Sequence, residues 1–132
     1  MSEEINTFIY QSVKQRVKDL TKEEVKLREL HSDLQEEVIG VNKLFIDKGS
    51  ELSIQQQMIK VIEDLPESEM KTAACLLIQS KISELKEEYA RISEVTNKAF
   101  KDSRATEKEH KKVADELYDK EILLKTVKKI LL

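Results

Sequence analysis

The sequence contains little of what a chain uses to turn, since its 132 residues include two glycines and one proline. Tryptophan is absent and aromatic residues make up 5%, whereas Asp, Glu, Lys and Arg together make up 37%. Few turn-forming residues and many charged ones are typical of long helices. Because no strand-like alternation is bounded by turn residues, we predict an all-α fold in a single helical domain over residues 1–132.

Further absences exclude several classes of function. The single cysteine, Cys75, has no partner for the disulfides that secreted chains use. No apolar run approaches the roughly 18 residues of a membrane span, and the opening MSEEI lacks the features of a signal peptide. The 23 basic and 26 acidic residues are interleaved, with a net charge of −3. We therefore expect a cytoplasmic or nuclear chain that binds no nucleic acid.

Apolar residues recur at alternating steps of three and four, which is the heptad spacing of a coiled coil. We call this series the seam. Its first part comprises Val17, Leu20, Glu24, Leu27, His31, Leu34, Val38, Val41, Phe45, Lys48, Leu52, Gln55, Ile59 and Ile62. Its second part comprises Ile78, Ile82, Leu85, Tyr89, Ile92, Thr96, Ala99, Ser103, Thr106, His110, Val113, Leu117, Lys120, Leu124, Val127 and Leu131. A 3.5-residue period kept this long favours coiled-coil packing over a compact globule.

The only proline, Pro66, lies at the midpoint of the chain. Proline disrupts a helix interior but is tolerated in a first helical turn, so DLPES predicts that one helix ends and another begins there, with Asp64 as a plausible cap. We predict a long antiparallel helical hairpin with arms over residues 3–64 and 66–131. Residue i then lies near residue 132 minus i, which pairs Ile5 and Phe8 with Val127 and Leu124.

Two places in the arms carry signals of a helix end. Gly49 and Ser50 precede a capping-box spacing at Ser53 and Gln56, and Asp102 and Ser103 are capping residues in a weak part of the seam. We expect kinks or brief breaks near Gly49 and Asp102. Full breaks at Gly49, Pro66 and Asp102 would instead give four shorter helices in a compact bundle.

Many apolar residues fall outside the seam, so several segments have a second apolar stripe. Such helices contact two neighbours, which predicts that the hairpin completes a helical bundle with partner helices, from other chains or from a second copy. The widest stripes lie near the turn and at the joined chain ends. We predict that the partner-binding residues are Ile5, Phe8, Ile9, Ile54, Met58, Val61, Met70, Leu76, Leu77, Ile122, Leu123 and Ile130.

No constellation of residues indicates catalysis, a metal or a cofactor. His31 and His110 both occupy seam positions, and with Glu24 they raise the idea of a metal site or a pH-sensitive latch. The repeated carboxylate and histidine spacing of bundle metal sites is missing, and His31 is expected opposite Lys101. Cys75 is remote from both histidines in a hairpin, and the two glycines form no phosphate-binding loop. We expect a non-enzymatic chain without cofactor or metal.

The function that these patterns predict is a coiled-coil scaffold or adaptor subunit. In its periodicity the chain resembles small coiled-coil subunits of kinetochore, spindle or vesicle-tethering complexes, which implies assembly with other helical subunits. Two alternatives remain open. One is the compact four-helix form, acting as a regulator that binds and inhibits a partner. The other is a peripheral membrane binder that uses the lysine-bearing amphipathic residues 117–132, although we regard closure of the hairpin by that segment as the better interpretation.

Overall fold

The computed structural model describes residues 2–132 and contains two long helices that pack against each other as a hairpin. Helix α1 comprises Ser2–Glu63 and helix α2 comprises Glu69–Leu131. The structure is 95% helical, without strands in the described residues. The predicted all-α helical hairpin is confirmed.

The turn between the helices occupies residues 64–68 and is longer than predicted. Helix α1 ends at Glu63, and the amide of Leu65 donates to the carbonyl of Ile62 at 3.1 Å. Ser68, not Asp64, caps α2, because its hydroxyl oxygen accepts the amide of Lys71 at 3.0 Å. Pro66 therefore lies two residues before the cap, outside the first helical turn.

Lys71 ties the turn together from the start of α2. Its amino group donates to the carbonyl oxygens of Glu63 at 2.9 Å and Leu65 at 2.8 Å, and to the carboxylate of Glu67 at 2.8 Å. The last carbonyls of a helix have no partner within it, and a cation near them is favourable. Lys71 thus satisfies the end of α1 with a side chain from α2.

The expected interruption near Gly49 is not found, since α1 runs unbroken through this residue. A β-carbon added at Gly49 would lie 3.3 Å from the ring of Tyr89, whereas one added at Gly40 would meet nothing within 4 Å. The ring of Tyr89 in turn stacks on Phe45, with centroids 4.7 Å apart. Gly49 therefore provides room for an aromatic pair across the two helices and does not end a helix.

The expected interruption near Asp102 is not found either, because α2 continues from Glu69 to Leu131. Ser103 and Thr106 are half-buried between the buried residues Ala99 and Val113. Packing of a long face stabilises helices more than local propensity does, so capping residues in mid-helix did not end this one. With two continuous helices, the four-helix arrangement predicted as an alternative is wrong.

The seam is placed as predicted. Every seam position, from Val17 to Ile62 in α1 and from Ile78 to Leu131 in α2, is buried or half-buried. The most deeply buried seam residues are Leu20, Ile78, Leu85, Thr96, Ala99 and Val113. Heptad spacing therefore identifies the contact between the helices.

The pairing of the helices is shifted slightly from the prediction. Glu24 contacts His110 and Phe45 contacts Tyr89, each two residues beyond the expected partner. At the chain ends the side-chain amide of Asn6 donates to the carbonyl of Leu131 at 3.4 Å, so the partners predicted for Ile5 and Phe8 are also displaced.

Contacts group the chain into two compact units, each built from segments of both helices. The turn unit comprises Glu36–Lys101, and the terminal unit comprises residues 1–35 and 102–132, of which residue 1 lies outside the described residues.

Candidate partner-binding faces

The residues predicted to bind partners are all exposed. Because the seam already occupies the facing sides of the helices, these apolar side chains are only partly covered within the described residues. The most exposed are Met70 at 79%, Leu77 at 73% and Phe8 and Ile130 at 72% each. The others are Ile5, Ile9, Ile54, Met58, Val61, Leu76, Ile122 and Leu123.

Heptad geometry places most of the exposed apolar residues of the turn unit on one side of the seam. With seam residues at positions a and d, Met58 occupies position g, and Ile54 and Val61 occupy position c, while Leu65 lies in the turn just beyond α1. Positions c and g are adjacent on the helix surface. Residues 54, 58 and 61 therefore form a second stripe on α1 with the same three-and-four spacing as the seam, and Leu65 adds an exposed apolar side chain in the turn that follows.

Helix α2 contributes a matching stripe to the turn unit, with Met70 and Leu77 at position c and Ala74 at g. The two stripes meet at an open groove lined by Leu65 and Met70, with Ile62 and Ala74 at its base. A neighbouring groove is lined by Ile54, Met58 and Val61. We define the turn-end face as Ile54, Met58, Val61, Leu65, Met70 and Leu77.

The sequence pattern predicts Leu76 among the partner-binding residues near the turn and does not predict Leu65. Leu76 lines a different groove, together with Glu67, Glu69 and Thr72. Leu65 lies two residues beyond the end of α1 and is 50% exposed. Its spacing of four from Val61 is the signal that could have identified it. The exposed residues Leu30, Ile39, Leu44 and Tyr118 were also missed.

The terminal unit has its own exposed apolar residues. Ile5 at position c and Ile9 at g in α1, with Leu123 and Ile130 at g in α2, have the same heptad positions as the turn-end stripes. Ile122 lies beside Leu123, and Phe8 lines a shallow groove on α1 with Gln11 and Gln15. We define the terminal face as Ile5, Ile9, Ile122, Leu123 and Ile130.

Ion pairs at position g show that the g positions of both helices lie on one side of the seam. In the terminal unit, Arg16 and Glu116 both occupy g and lie 2.7 Å apart, and this hydrogen bond raises the pKa of Arg16. In the turn unit, Lys48 contacts Glu88 at 3.1 Å and Glu51 at 3.4 Å, both of which occupy g. The hydrogen bond to Lys48 lowers the pKa of Glu88 and raises that of Lys48. Such exposed ion pairs stabilise a protein only weakly. Here they identify the side of the seam on which the g positions of both helices lie.

Polar residues interrupt the seam of the terminal unit. His110 Nε2 lies 3.0 Å from a carboxylate oxygen of Glu24, and Arg28 lies 3.7 Å from the same oxygen. His31 Nε2 is buried and has no hydrogen-bond partner among the described residues. By the observed register, Ser103 rather than Lys101 lies opposite His31. Within residues 2–132, no group of three His, Cys, Asp or Glu side chains could hold a metal ion.

Other chemistry-bearing residues are separated. Cys75 is half-buried in the turn unit, whereas both histidines belong to the terminal unit. Tyr89 is committed to the stack on Phe45. Neither helix, over the residues that the structure describes, contains an apolar stretch long enough to cross a membrane.

Comparison with known proteins gives no relative. No protein-family model, no curated protein and no solved structure matches this chain.

Proposed function

We propose that the chain is a non-enzymatic coiled-coil scaffold or adaptor subunit that assembles with other helical chains in a multi-protein complex. The observation that carries this proposal is the exposed apolar stripe beside an already occupied seam, at residues 54, 58 and 61 and continued by Leu65 in the turn. Contiguous exposed apolar patches mark interaction sites more often than scattered apolar residues do. The same spacing in both stripes fits a partner that is itself a helix.

The size of the stripes favours more than one contact. Covering about half of each of the six side chains of the turn-end face contributes about 1 kcal/mol apiece, or about 6 kcal/mol in total. Association costs about 4–15 kcal/mol in lost freedom of motion. One face alone therefore contributes only about as much as the lower end of the cost of association. A subunit held through both the turn-end face and the terminal face would bind more stably.

The geometry of a four-helix bundle supplies the mode of binding. Helices with two apolar stripes pack against two neighbours at shallow angles, as in bundles made from two hairpins. A partner that offers a pair of helices, or a single helix with a wide stripe, would cover the turn-end face. The seam residues Glu24, His31 and His110 are polar, but they do not favour a catalytic function over this one. We place this subunit in the cytoplasm or nucleus.

Site-specific photocrosslinking in cells that express the chain tests this function. A photoreactive phenylalanine at Met58 or Leu77 lies on the turn-end face, and the same residue at Ser53 or Ser83, both exposed at heptad position b, is the matched control. We expect crosslinks from the first two positions to an apolar helical segment of a partner chain or of a second copy. Equal yields from face and control positions would contradict the proposal.

A further inference from the structure

We propose that the turn-end face of one copy packs on the terminal segment of α2, residues 122–131, of a second copy. This inference rests on the proposed function and names the partner of that face. Its basis is that the two surfaces are both apolar and carry charges of opposite sign.

The turn end is acidic. Residues 61–70 contain Glu63, Asp64, Glu67 and Glu69 and no basic residue. All four acidic residues are exposed, and so are Val61, Leu65 and Met70 of the turn-end face. The nearest following cation, Lys71, donates to two carbonyls of the turn and to Glu67. The remaining three carboxylates form no ion pair among the described residues.

The terminal segment of α2 is basic. Residues 122–131 contain Lys125, Lys128 and Lys129 and no acidic residue, and all three lysines are exposed. Ile122, Leu123 and Ile130 are exposed in the same segment. Ile122 is at heptad position f, and Leu123 and Ile130 are at g. Lys125 at b and Lys129 at f lie next to these positions on the helix surface. The segment thus presents an apolar face with lysines along its edge.

Pairing unlike ends sets the four carboxylates of the turn against the three lysines of residues 122–131. Glu3 and Glu4 of α1 lie at the same end of the hairpin, but at heptad positions a and b, away from the c and g positions of the apolar face. Two turn ends in contact would bring eight carboxylates together, and two terminal segments would bring six lysines together. Like charges across an interface are unfavourable, whereas complementary charges at its rim accelerate association and fix its register. Because the two surfaces differ, the contact is heterologous, and each copy has one surface of each kind to offer.

Sedimentation analysis of charge-reversed chains at about 50 mM salt, where exposed charges are weakly screened, tests this contact. One test variant is Glu63→Lys/Asp64→Lys and the other is Lys128→Glu/Lys129→Glu. Their matched controls, with the same charge change on exposed adjacent pairs elsewhere, are Glu36→Lys/Glu37→Lys and Lys111→Glu/Lys112→Glu. We expect each test variant to weaken self-association about tenfold more than its control. Circular dichroism checks that every variant remains helical.

Restoring complementarity should restore the contact. An equimolar mixture of the two test variants offers a turn with two added lysines opposite a terminal segment with two added glutamates, and the natural acidic turn opposite the natural basic segment. Both the mixture and the chain carrying all four reversals should therefore associate within about threefold of the natural chain. Contact between two turn ends would instead be strengthened by Glu63→Lys/Asp64→Lys alone, because each copy then presents two lysines beside two carboxylates.

Three results would overturn the inference. These are a natural chain that stays monomeric up to about 100 µM, test variants that behave like their controls, and a fourfold variant that does not recover. Anionic vesicles that bind the natural chain but not Lys128→Glu/Lys129→Glu, without self-association, would assign the basic segment to a lipid surface instead. In each case, crosslinks from Met58 and Leu77 to another helical chain would leave the proposed function intact, and their absence would remove both.

Discussion

The seams of the turn unit and the terminal unit have the same spacing but different side chains. In the turn unit, Leu85 is 2% exposed and the rings of Phe45 and Tyr89 stack at 4.7 Å. In the terminal unit, Glu24 and His110 meet at 3.0 Å and the buried Nε2 of His31 has no partner. Heptad spacing thus determines which residues face the other helix, whereas the chemical nature of those residues determines how strongly they hold the helices together.

The two units also differ in what they leave exposed. The turn unit has a mostly apolar seam, in which Lys48, Gln55 and Thr96 are the polar positions, and it leaves the six apolar residues of the turn-end face exposed. A buried polar atom without a partner costs about 1–3 kcal/mol, and among the described residues each unit has one, Thr96 Oγ1 in the turn unit and His31 Nε2 in the terminal unit. The seam of the terminal unit has six polar positions in all, however, against three in the turn unit. We therefore expect the turn unit to be the firmer platform for a partner and the polar part of the terminal unit to open more easily.

Truncation of the most deeply buried seam residues should have the largest effect and tests whether both seams are packed. Leu20→Ala in the terminal unit and Leu85→Ala in the turn unit should each lower the free energy of unfolding by about 2–4 kcal/mol, because each leaves a cavity. Urea unfolding followed by circular dichroism measures the loss. The exposed Val61→Ala is the control, with a change below about 0.5 kcal/mol. A loss below about 1 kcal/mol at either leucine would show that its seam is not tightly packed.

The polar pair in the terminal seam should give the next largest effect. His110→Ala leaves a Glu24 carboxylate that is 16% exposed with only the distant Arg28, so the free energy of unfolding should fall by about 1–2 kcal/mol. Replacing both residues by leucine should recover this loss, because an apolar pair requires no hydrogen bond. Urea unfolding of the natural chain, of His110→Ala and of the double leucine chain measures the three free energies of unfolding. A double leucine chain that is less stable than His110→Ala would contradict the prediction that an apolar pair can replace Glu24 and His110.

The two glycines of α1 offer a smaller and sharper comparison. Gly40→Ala should raise the free energy of unfolding by about 0.5–1 kcal/mol, since alanine favours the helix and nothing lies within 4 Å of the new methyl group. Gly49→Ala should gain less, because its methyl group would lie 3.3 Å from the Tyr89 ring and push on the stack with Phe45. Thermal melts of both variants test this difference. Equal gains would mean that the ring moves freely.

The pH dependence of the Lys48 and Glu88 pair should be the smallest effect. The pKa of Glu88 lies below its ordinary value of 4.5, so folding is favoured by this group above pH 4.5 and the contribution is lost as pH falls through the lowered pKa. The stability difference between the natural chain and Glu88→Gln should therefore shrink on acidification. Urea midpoints at neutral and acidic pH measure it. A difference that grows toward acid pH would contradict the assigned ion pair.

The sequence predicts the hairpin and its seam well, because a 3.5-residue period identifies the buried side of a helix without knowledge of its partner. Local signals were poorer guides. The capping residues at Ser50 and Asp102 suggested helix ends, yet packing across the seam kept both helices continuous. The cap at Ser68 and the three hydrogen bonds of Lys71 depend on how the turn closes, which no periodicity encodes.

The exposed faces were predictable for the same reason as the seam. Positions such as Met58 and Leu77 fall off the seam by count alone, and both are exposed. That Leu76 lies outside the turn-end face could be seen only in the structure, where Leu76 lines one groove and Leu65 and Met70 line another. The contact of Glu24 with His110 was not predicted as a pair, because heptad spacing does not fix the pairing of the two helices and the observed pairing differs from the expected one by two residues.

Oxidative footprinting of Met58 and Met70 tests the central claim most directly, since these side chains are 43% and 79% exposed on the turn-end face. The comparison is between the purified chain at high dilution and the same chain inside cells that express it, with the denatured chain as the reference for full reactivity. Burial of the face against helical partners predicts rapid oxidation of both methionines in the dilute chain and strong protection in the cell. Equal oxidation of both methionines in the two settings would contradict the account.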